Sequence, residues 1–253
     1  MKSGLEGKRV LVSGGSRGIG RAIAGAFAAE GCRLALNARD ADALQKTASA
    51  LGPDVIALPG DVTDPAVASG VVEAAAGRLG GLDVLVTNVG SGRSVPPGQE
   101  TPEEWQRVFA INLFSATTLV GAATPHLAKQ GGSIVCISSI CGNEAIPGAP
   151  VTYSAAKAAL NAFVSGISRP LGASGIRINA IAPGNILFEG SVWERKLAED
   201  RNAVESMLTR EVALQSLGTP EDVARFAVIL AAPDTGFASG AVFTVDGGQT
   251  RGT

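Results

Sequence analysis

The segment KRVLVSGGSRGIGRAIAGAFAAE, residues 8–30, joins an apolar run, a glycine-rich loop and a helical pattern in direct succession. Lys8–Ser13 is apolar without alternation, which is typical of a strand that is covered on both faces. Gly14, Gly18 and Gly20 follow with the spacing G-x-x-x-G-x-G, and Gly18–Glu30 places apolar residues at helical spacing. The segment therefore predicts a buried strand, a tight loop and a helix as the first unit of the fold.

The glycine loop has the chemistry of a phosphate site. Glycines allow a tight turn and let the backbone approach a ligand, while the free N–H groups and positive end of the next helix attract an anion. The pattern therefore predicts a dinucleotide cofactor whose pyrophosphate contacts this loop. The residues expected to bind it are Gly14, Ser16, Arg17, Gly18, Ile19 and Gly20.

The alternation of strand and helix continues along the chain. The further runs suited to buried strands are Arg33–Ala38, Asp54–Leu58, Asp83–Thr87, Ser133–Ser138, Ile176–Ile181 and Ala241–Val245. Helical segments separate them, and three begin at the capping pairs Asp64-Pro65, Thr101-Pro102 and Thr219-Pro220. This order predicts an α/β protein with a Rossmann-type doubly wound seven-stranded parallel sheet and helices on both faces.

One segment departs from the alternation. Asn185–Leu217 lies between the sixth and seventh predicted strands and is rich in charged residues. It is too long for a plain loop, so we expect one or two helices on the rim of the sheet, where they would form a substrate lid. No linker-like stretch divides the chain, and residues 1–253 are therefore expected to form one domain.

Composition and charge limit the possible functions. The 253 residues carry 21 basic and 23 acidic side chains, with no long run of one sign, so a nucleic-acid partner is not expected. Cys32, Cys136 and Cys141 have no C-x-x-C spacing, which favours reduced packing residues. No His, Cys or Asp cluster has metal-ligand spacing, and no metal is expected.

The N-terminal residues MKSGLEGKRV lack the apolar region of a signal peptide. No apolar stretch is expected to reach the roughly 18 residues of a membrane span. These patterns predict a soluble, cytoplasmic protein without a membrane partner.

The end of the second strand selects the dinucleotide. A carboxylate there would bond the adenosine ribose and exclude a 2′-phosphate, whereas this chain has Asn37-Ala38-Arg39. Ala38 leaves space, and Arg39 offers a guanidinium group to a phosphate, with Arg17 as a second cation. NADP(H) is therefore favoured over NAD(H), provided that Asp40 serves as the N-cap of the next helix.

Tyr153 and Lys157 form the candidate acid/base pair. They open an alanine-rich helical segment, and the i, i+4 spacing places them on one helix face. An ammonium group beside a phenol would lower its pKa and make it usable near neutral pH. Before them, a buried strand ends at Ser138-Ser139, and either hydroxyl could bond a substrate oxygen at the carboxyl edge of the sheet.

Together these motifs resemble the short-chain dehydrogenase/reductase family in its single-domain branch, over nearly the whole chain. The glycine loop matches with Ser13 in place of a threonine. The remaining matches are Asp61-Val62 at the adenine, Thr87–Gly90, Asn112, Ser139, Tyr153, Lys157, Pro183-Gly184 and Asp246–Gly248.

The resemblance implies specific roles and a homotetramer. Tyr153 would donate a proton to the carbonyl oxygen, and Lys157 would bind the nicotinamide ribose and lower the tyrosine pKa. Ser139 would position the substrate oxygen, while Asn112 would hold a water that links Lys157 to solvent. The further cofactor contacts that it implies are Asp61, Val62, Asn88, Gly90, Tyr153, Lys157, Pro183, Gly184 and Ile186.

Two departures from the family pattern concern substrate and nicotinamide. Phe188 stands where the family often has a threonine that bonds the carboxamide, so that contact would pass to backbone groups such as those of Ile186. Ser139 lies one residue further from Tyr153 than in many relatives. The extra residue falls in the loop Gly142–Pro150, which predicts a modified substrate pocket.

The leading function is the interconversion of a ketone and a secondary alcohol with NADP(H), similar to that of 3-oxoacyl-acyl-carrier-protein reductases. The charged lid keeps a polar sugar or nucleotide-sugar substrate as an alternative. A non-catalytic dinucleotide-sensing protein is a different class, although such proteins usually lack the tyrosine or the lysine. The epimerase and dehydratase branch needs a larger C-terminal substrate domain, for which this length leaves no room.

Overall fold

The structure is a computed structural model that describes residues 3–251. Its centre is a seven-stranded parallel sheet with the order β3-β2-β1-β4-β5-β6-β7. The strands are β1 (Arg9–Ser13), β2 (Arg33–Ala38), β3 (Ile56–Pro59), β4 (Val84–Thr87), β5 (Gly132–Ile137), β6 (Ile176–Pro183) and β7 (Val242–Val245). The predicted Rossmann-type fold class is confirmed.

Helices cover both faces of the sheet. The helices are α1 (Gly18–Ala29), α2 (Ala41–Leu51), α3 (Pro65–Leu79), α4 (Pro102–Phe109), α5 (Ser115–Leu127), α6 (Val151–Gly172), α7 (Val192–Glu199), α8 (Arg201–Glu211) and α9 (Pro220–Ala231). One core cluster joins α3, α5 and α6 to the sheet, and the other joins α1, α2 and α9 to the opposite face. Burial on both faces explains why the strand sequences are continuously apolar.

The sequence signals for helix starts are confirmed. Asp64 accepts hydrogen bonds from the first turn of α3, and Thr101 does the same for α4. Thr219 forms a reciprocal capping box with Asp222 at the start of α9. Asp40 accepts from the backbone N–H of Ala43, so it caps α2 as expected.

The strand boundaries differ from the sequence prediction by a few residues. The largest extension is in β6, which continues to Pro183 because its last residues stay paired with β7, up to Pro183 beside Val245. In contrast, β3 begins at Ile56 rather than Asp54, since its pairing with β2 begins at Ile56 beside Ala35. Neither difference moves a strand end away from the carboxyl edge of the sheet.

The inserted segment contains two helices, α7 and α8, as expected from its length and charge. They share a small apolar cluster built around Val204, Leu208 and Val212. The two ends of the segment are joined, because Gly218 donates to the carbonyl of Asn185 at 2.9 Å and accepts from the N–H of Leu187 at 2.8 Å. The segment is therefore a flap whose two ends are joined by a single parallel β-bridge between Ile186 and Gly218.

One expectation about apolar stretches is wrong. The helical stretch Pro102–Leu127 is long and apolar enough to cross a membrane by length and composition alone. Its inward side chains, such as Leu119 and Leu127, are fully buried in the core that lines the sheet. The α5 part of the stretch therefore packs on the sheet, at β4 and β5.

Candidate active site

The predicted site residues come together at the carboxyl edge of the sheet. The strand order reverses between β1 and β4, which neighbour each other in the sheet although two strands separate them in the chain. In such sheets this reversal opens a crevice between the loops that leave the two strands. The structure places Gly14, Ser16 and Arg17 after β1, Gly18, Ile19 and Gly20 in α1, Ala38 and Arg39 at the end of β2, Asp61 and Val62 after β3, Asn88 and Gly90 after β4, and Pro183, Gly184 and Ile186 at the end of β6.

The glycine loop is held by Asn88, which follows β4, and two of its glycines pack against each other. Asn88 donates from Nδ2 to the carbonyl oxygen of Gly14 at 3.1 Å, and its own N–H donates to Oγ of Ser13 at 3.1 Å. Gly14 has a φ of +66°, which favours glycine. A methyl group on Gly20 would overlap the carbonyl oxygen of Gly14. The third glycine therefore allows α1 to start directly against the loop.

The start of α1 fits a phosphate group. Side chains cap the starts of α2, α3, α4, α7, α8 and α9. Within residues 3–251, no side chain caps α1, whose preceding residue is Arg17, nor α5, which continues from α4, nor α6, which follows Pro150. The first N–H groups of a helix need an acceptor, and a pyrophosphate supplies one. The loop therefore fits the dinucleotide cofactor expected from the sequence.

An ion pair lies at the end of the crevice where the sequence predicts the adenosine part of the cofactor. Nη1 of Arg39 lies 3.6 Å from Oδ2 of Asp61, and both side chains are largely solvent-accessible. Burial opposes ionisation of Asp61, but hydrogen bonds from Thr63 and the charge of Arg39 outweigh it and lower the pKa of Asp61. Arg17, the second expected cation, lies beside the inserted segment, since a methyl group added to Gly190 would be 3.6 Å from one of its guanidinium nitrogens.

Tyr153 and Lys157 lie on one face of α6. Nζ of Lys157 lies 5.9 Å from the centre of the Tyr153 ring and donates to the carbonyl oxygen of Ile137 at 2.8 Å. Only 2% of Lys157 is exposed, and burial lowers its pKa to about 8. The hydrogen bond to the end of β5 fixes the ammonium group beside the ring.

The expected lowering of the tyrosine pKa is not found. Burial raises the pKa of Tyr153 to about 12, and a hydrogen bond with Ser139 opposes this rise only in part. A buried phenolate is poorly solvated, and Lys157 lies beside the ring while bonded to a backbone carbonyl. Burial therefore favours the protonated form of Tyr153.

The structure separates the roles of the two serines after β5. Oγ of Ser138 donates to Oδ1 of Asn161 at 2.6 Å, so this hydroxyl is engaged inside the protein. Ser139 interacts with Tyr153, and its Oγ accepts from the N–H of Cys141 at 3.2 Å. Of the two hydroxyls, that of Ser139 is therefore the one that faces Tyr153.

Asn112 lies in a wide helical turn between α4 and α5. This turn, Ala110–Phe114, has π-helical geometry, which is common at functional sites. Oδ1 of Asn112 accepts from the N–H of Ser91 at 2.9 Å, and Nδ2 donates to the carbonyls of Ser91 and Val108, each at 3.0 Å. A methyl group on Gly90 would lie 3.0 Å from Oδ1 of Asn112 and 3.2 Å from Nζ of Lys157. Asn112 and Lys157 therefore meet across Gly90.

The turn after β6 carries the departure noted in the sequence. The Phe188 ring lies against Gly18, where an added methyl group would be 2.6 Å from the ring. The flap base uses the carbonyl of Asn185 and the N–H of Leu187, and so leaves both backbone groups of Ile186 outside its hydrogen bonds. Both features are compatible with a backbone contact to the carboxamide in place of a threonine.

Sequence reasoning missed two residues of the site. Asn161 follows Tyr153 and Lys157 at i+8 and i+4, and this helical spacing could have indicated it. Asn143 accepts a hydrogen bond from Asn161 and lies in a loop whose path no local pattern predicts. Among residues 3–251, no group of three or more His, Cys, Asp or Glu side chains could hold a metal.

Comparison with known proteins places this arrangement in context. Residues 14–250 match a family model described as enoyl-(acyl carrier protein) reductase. An uncharacterised oxidoreductase of Methylorubrum extorquens is 35% identical over 97% of this chain and 99% of its own length. L-rhamnose 1-dehydrogenase (NAD(P)(+)) of a Sphingomonas species is 36% identical, with 97% of each chain covered.

A solved structure shares the whole fold. The L-sorbose reductase of Gluconobacter frateurii, crystallised with NADPH and L-sorbose, superposes with a TM-score of 0.94 and 30% identity over 100% of both chains. The similarity therefore includes the inserted segment as well as the sheet.

Proposed function

We propose that this chain, which belongs to the short-chain dehydrogenase/reductase family, interconverts a ketone and a secondary alcohol with NADP(H) as its cofactor. The observation that carries the proposal is the arrangement of Ser139, Tyr153 and Lys157 at the carboxyl edge of the sheet, beside the glycine loop. Each acts on its neighbour, since Ser139 bonds Tyr153 and the Tyr153 ring contacts the ammonium group of Lys157.

The geometry supports a proton transfer from Tyr153. When bound, the nicotinamide supplies a hydride to the carbonyl carbon. Tyr153 holds the proton that the carbonyl oxygen needs, and Ser139 donates a hydrogen bond that orients the same oxygen. Lys157 supplies a positive charge that stabilises the phenolate as it forms. Gly90, which has no side chain, lets the buried ammonium group of Lys157 lie close to the polar side chain of Asn112.

The phosphate-binding residues support NADP(H). Arg39 follows the end of β2, is largely exposed and pairs with Asp61 only at 3.6 Å, so its guanidinium can turn to a 2′-phosphate. Ala38 leaves no carboxylate in the place where NAD(H) enzymes bind the ribose. The named relatives include one that carries both cofactors in its name and one crystallised with NADPH.

A small polyhydroxylated substrate is favoured over an acyl thioester. The relatives that act on sugars, L-rhamnose 1-dehydrogenase and L-sorbose reductase, match nearly the whole chain. The flap is charged, which suits a polar ligand. The description of the family model keeps a thioester of an acyl carrier protein as the second candidate.

We also propose that the flap, residues 185–217, closes over the substrate, and that the chain forms a homotetramer in the cytoplasm. The Phe188 ring connects the base of the flap to Gly18 beside the glycine loop, so a movement of the flap would displace residues next to the cofactor. Phe226, Ile229 and Phe237 expose large apolar surfaces on and after α9, which supports a contact between copies. Light scattering would measure the mass of the assembly.

A substrate screen tests the proposal. NADPH oxidation would be followed with ketoses, simple hydroxyketones and 3-oxoacyl thioesters, each against a Tyr153→Phe control. We expect turnover of a polyhydroxylated ketone that the control lacks. Turnover of thioesters alone would show that the substrate is an acyl thioester rather than a polyhydroxylated ketone. NADPH binding without any turnover would favour a dinucleotide-sensing protein.

A further inference from the structure

A chain of side-chain hydrogen bonds surrounds the turn that carries Ser139. Ser138 donates from Oγ to Oδ1 of Asn161 at 2.6 Å, and Nδ2 of Asn161 donates to Oδ1 of Asn143 at 2.9 Å. Nδ2 of Asn143 donates in turn to Oγ1 of Thr244 at 3.1 Å. These side chains belong to the end of β5, α6, the following loop and β7, so the chain ties these elements together.

The turn also rests directly on α6. Ile140–Gly142 forms one 3-10 turn, which is bonded to Ser139 because the N–H of Gly142 donates to its carbonyl oxygen at 2.9 Å. A methyl group on Gly142 would lie 2.6 Å from the carbonyl carbon of Lys157. The backbone after Ser139 is therefore in contact with the turn of α6 that carries Lys157.

Asn161 is the residue that joins these two features. It follows Lys157 by one helical turn on the face that also carries Tyr153, and it bonds the residues on both sides of the catalytic turn, Ser138 and Asn143. Ser138 is 4% exposed, so if Asn161 is lost its hydroxyl keeps only the long hydrogen bond to the carbonyl oxygen of Lys157, at 3.5 Å. A shift of Ser138 would move Ser139, because the two residues are adjacent.

We propose that Asn161 is a positioning residue that holds Ser139 at the carbonyl oxygen of the substrate. The proposal rests on the function proposed above, since it assigns a task within that reaction. Asn161 acts through Ser138 and Asn143, and needs no contact with the substrate. Small displacements of a reacting group reduce turnover strongly, so the loss of this chain should be visible in kinetics.

The first test measures the order of the turn without any turnover. Cys141 lies in the turn, and mass spectrometry can compare its alkylation by iodoacetamide with that of Cys32 and Cys136 in the same sample. Asn161→Leu should raise the rate at Cys141 by about fivefold, the ratio that corresponds to one ordinary hydrogen bond. Asn161→Asp keeps an oxygen for Ser138 but loses the donor to Asn143, so it should restore only part of the protection and resemble Asn143→Ala.

Two further variants keep this test decisive. Asn143→Ala breaks the same chain at an exposed residue and should also raise alkylation at Cys141, so the test stands even if Asn161→Leu does not fold. Ser165→Ala is the matched control, because Ser165 lies on the next turn of α6 and bonds the carbonyl of Gly240 instead. Ser165→Ala should leave the Cys141 rate unchanged. An unchanged rate in both Asn161→Leu and Asn143→Ala would overturn the proposal.

The second test is a double-mutant cycle with Ser139→Ala. In the wild-type background, Asn161→Leu should lower kcat by about 10- to 100-fold while the Kd for NADPH stays within about twofold. In the Ser139→Ala background, the same change should cost no more than about twofold, because the two residues act as one unit. Equal losses in both backgrounds would show an independent structural role and overturn the proposal.

The two proposals fail in different ways. If the wild type reduces no carbonyl compound, the proposed function fails, while the alkylation rates still report whether Asn161 orders the turn. If the wild type is active but Asn161→Leu changes neither Cys141 alkylation nor kcat, only the positioning role fails.

Discussion

The ammonium group of Lys157 lies 5.9 Å from the centre of the Tyr153 ring and is bonded to the backbone of β5 at Ile137. The two residues therefore share one helix face, but the lysine is held by the sheet. Burial acts on both in opposite directions, raising the pKa of Tyr153 to about 12 and lowering that of Lys157 to about 8. Each change favours the neutral form, so Tyr153 keeps its proton, while Lys157 carries its positive charge only below about pH 8.

Tyr153→Phe should abolish carbonyl reduction and leave cofactor binding intact. The variant keeps the ring against Lys157 but loses the acid, and a lost general acid reduces turnover by about 10²- to 10⁴-fold. The Kd for NADPH, measured from nucleotide fluorescence, should stay within about threefold, since the hydroxyl makes a small part of a large ligand site. Activity close to that of the wild type would contradict the assignment.

Carbonyl reduction should decline as the pH rises through about 8. Lys157 loses its charge there, while Tyr153 stays protonated to about 12. The free energy of unfolding changes in the opposite direction and increases with pH. The unfolded chain keeps the lysine proton to about 10.5, so this group favours the folded state increasingly between about 8 and 10.5. A kcat that stays level to pH 10 at saturating NADPH would rule out Lys157 as the titrating group.

Arg39→Ala should weaken NADPH binding more than NADH binding. A charge-assisted hydrogen bond to the 2′-phosphate is worth about 1.5–3 kcal/mol, which is about 10- to 100-fold in Kd. Arg33→Ala is the matched control, because Arg33 is exposed at the other end of β2, away from the carboxyl edge. Equal loss for the two nucleotides in Arg39→Ala would remove the argument for NADP(H).

The seven strands and their alternation with helices were predictable from the sequence because burial on both faces leaves strong apolar runs. The helix starts were predictable for a different reason, since Asp64, Thr101 and Thr219 act within one turn of their own position. The exact end of β6 was not predictable from the sequence, because it depends on pairing with β7, which follows the inserted segment in the chain. Local signals therefore define the elements, and long-range pairing defines their limits.

The features of the site also divide into those that local motifs predict and those that depend on packing between distant parts of the chain. Tyr153, Lys157 and the glycine loop lie within short motifs, so their neighbourhood follows from spacing. The pKa of Tyr153 does not follow from the spacing, because it depends on burial by elements distant in the chain. The contacts of Phe188 with Gly18 and of Asn143 with Asn161 are also set by loops. These are the features that tune a shared site for its own substrate.

Gly20→Ala should impair cofactor binding, whereas Gly25→Ala in the same helix should not. A methyl group on Gly20 would overlap the carbonyl oxygen of Gly14, so the glycine loop and α1 must separate. At Gly25 the nearest atom to an added methyl group is 3.8 Å away, on Leu51, which is ordinary contact. Alanine also favours a helix over glycine by about 1 kcal/mol, so Gly25→Ala should stabilise the fold.

Thermal unfolding and NADPH titration distinguish these two variants. Gly20→Ala should lower Tm and weaken NADPH binding by about tenfold or more, because overpacking costs about 1–3 kcal/mol and falls on the phosphate loop. Gly25→Ala should keep the wild-type Kd with an equal or higher Tm. If both variants bind NADPH as tightly as the wild type, the close approach of Gly20 to Gly14 is not what shapes the phosphate site.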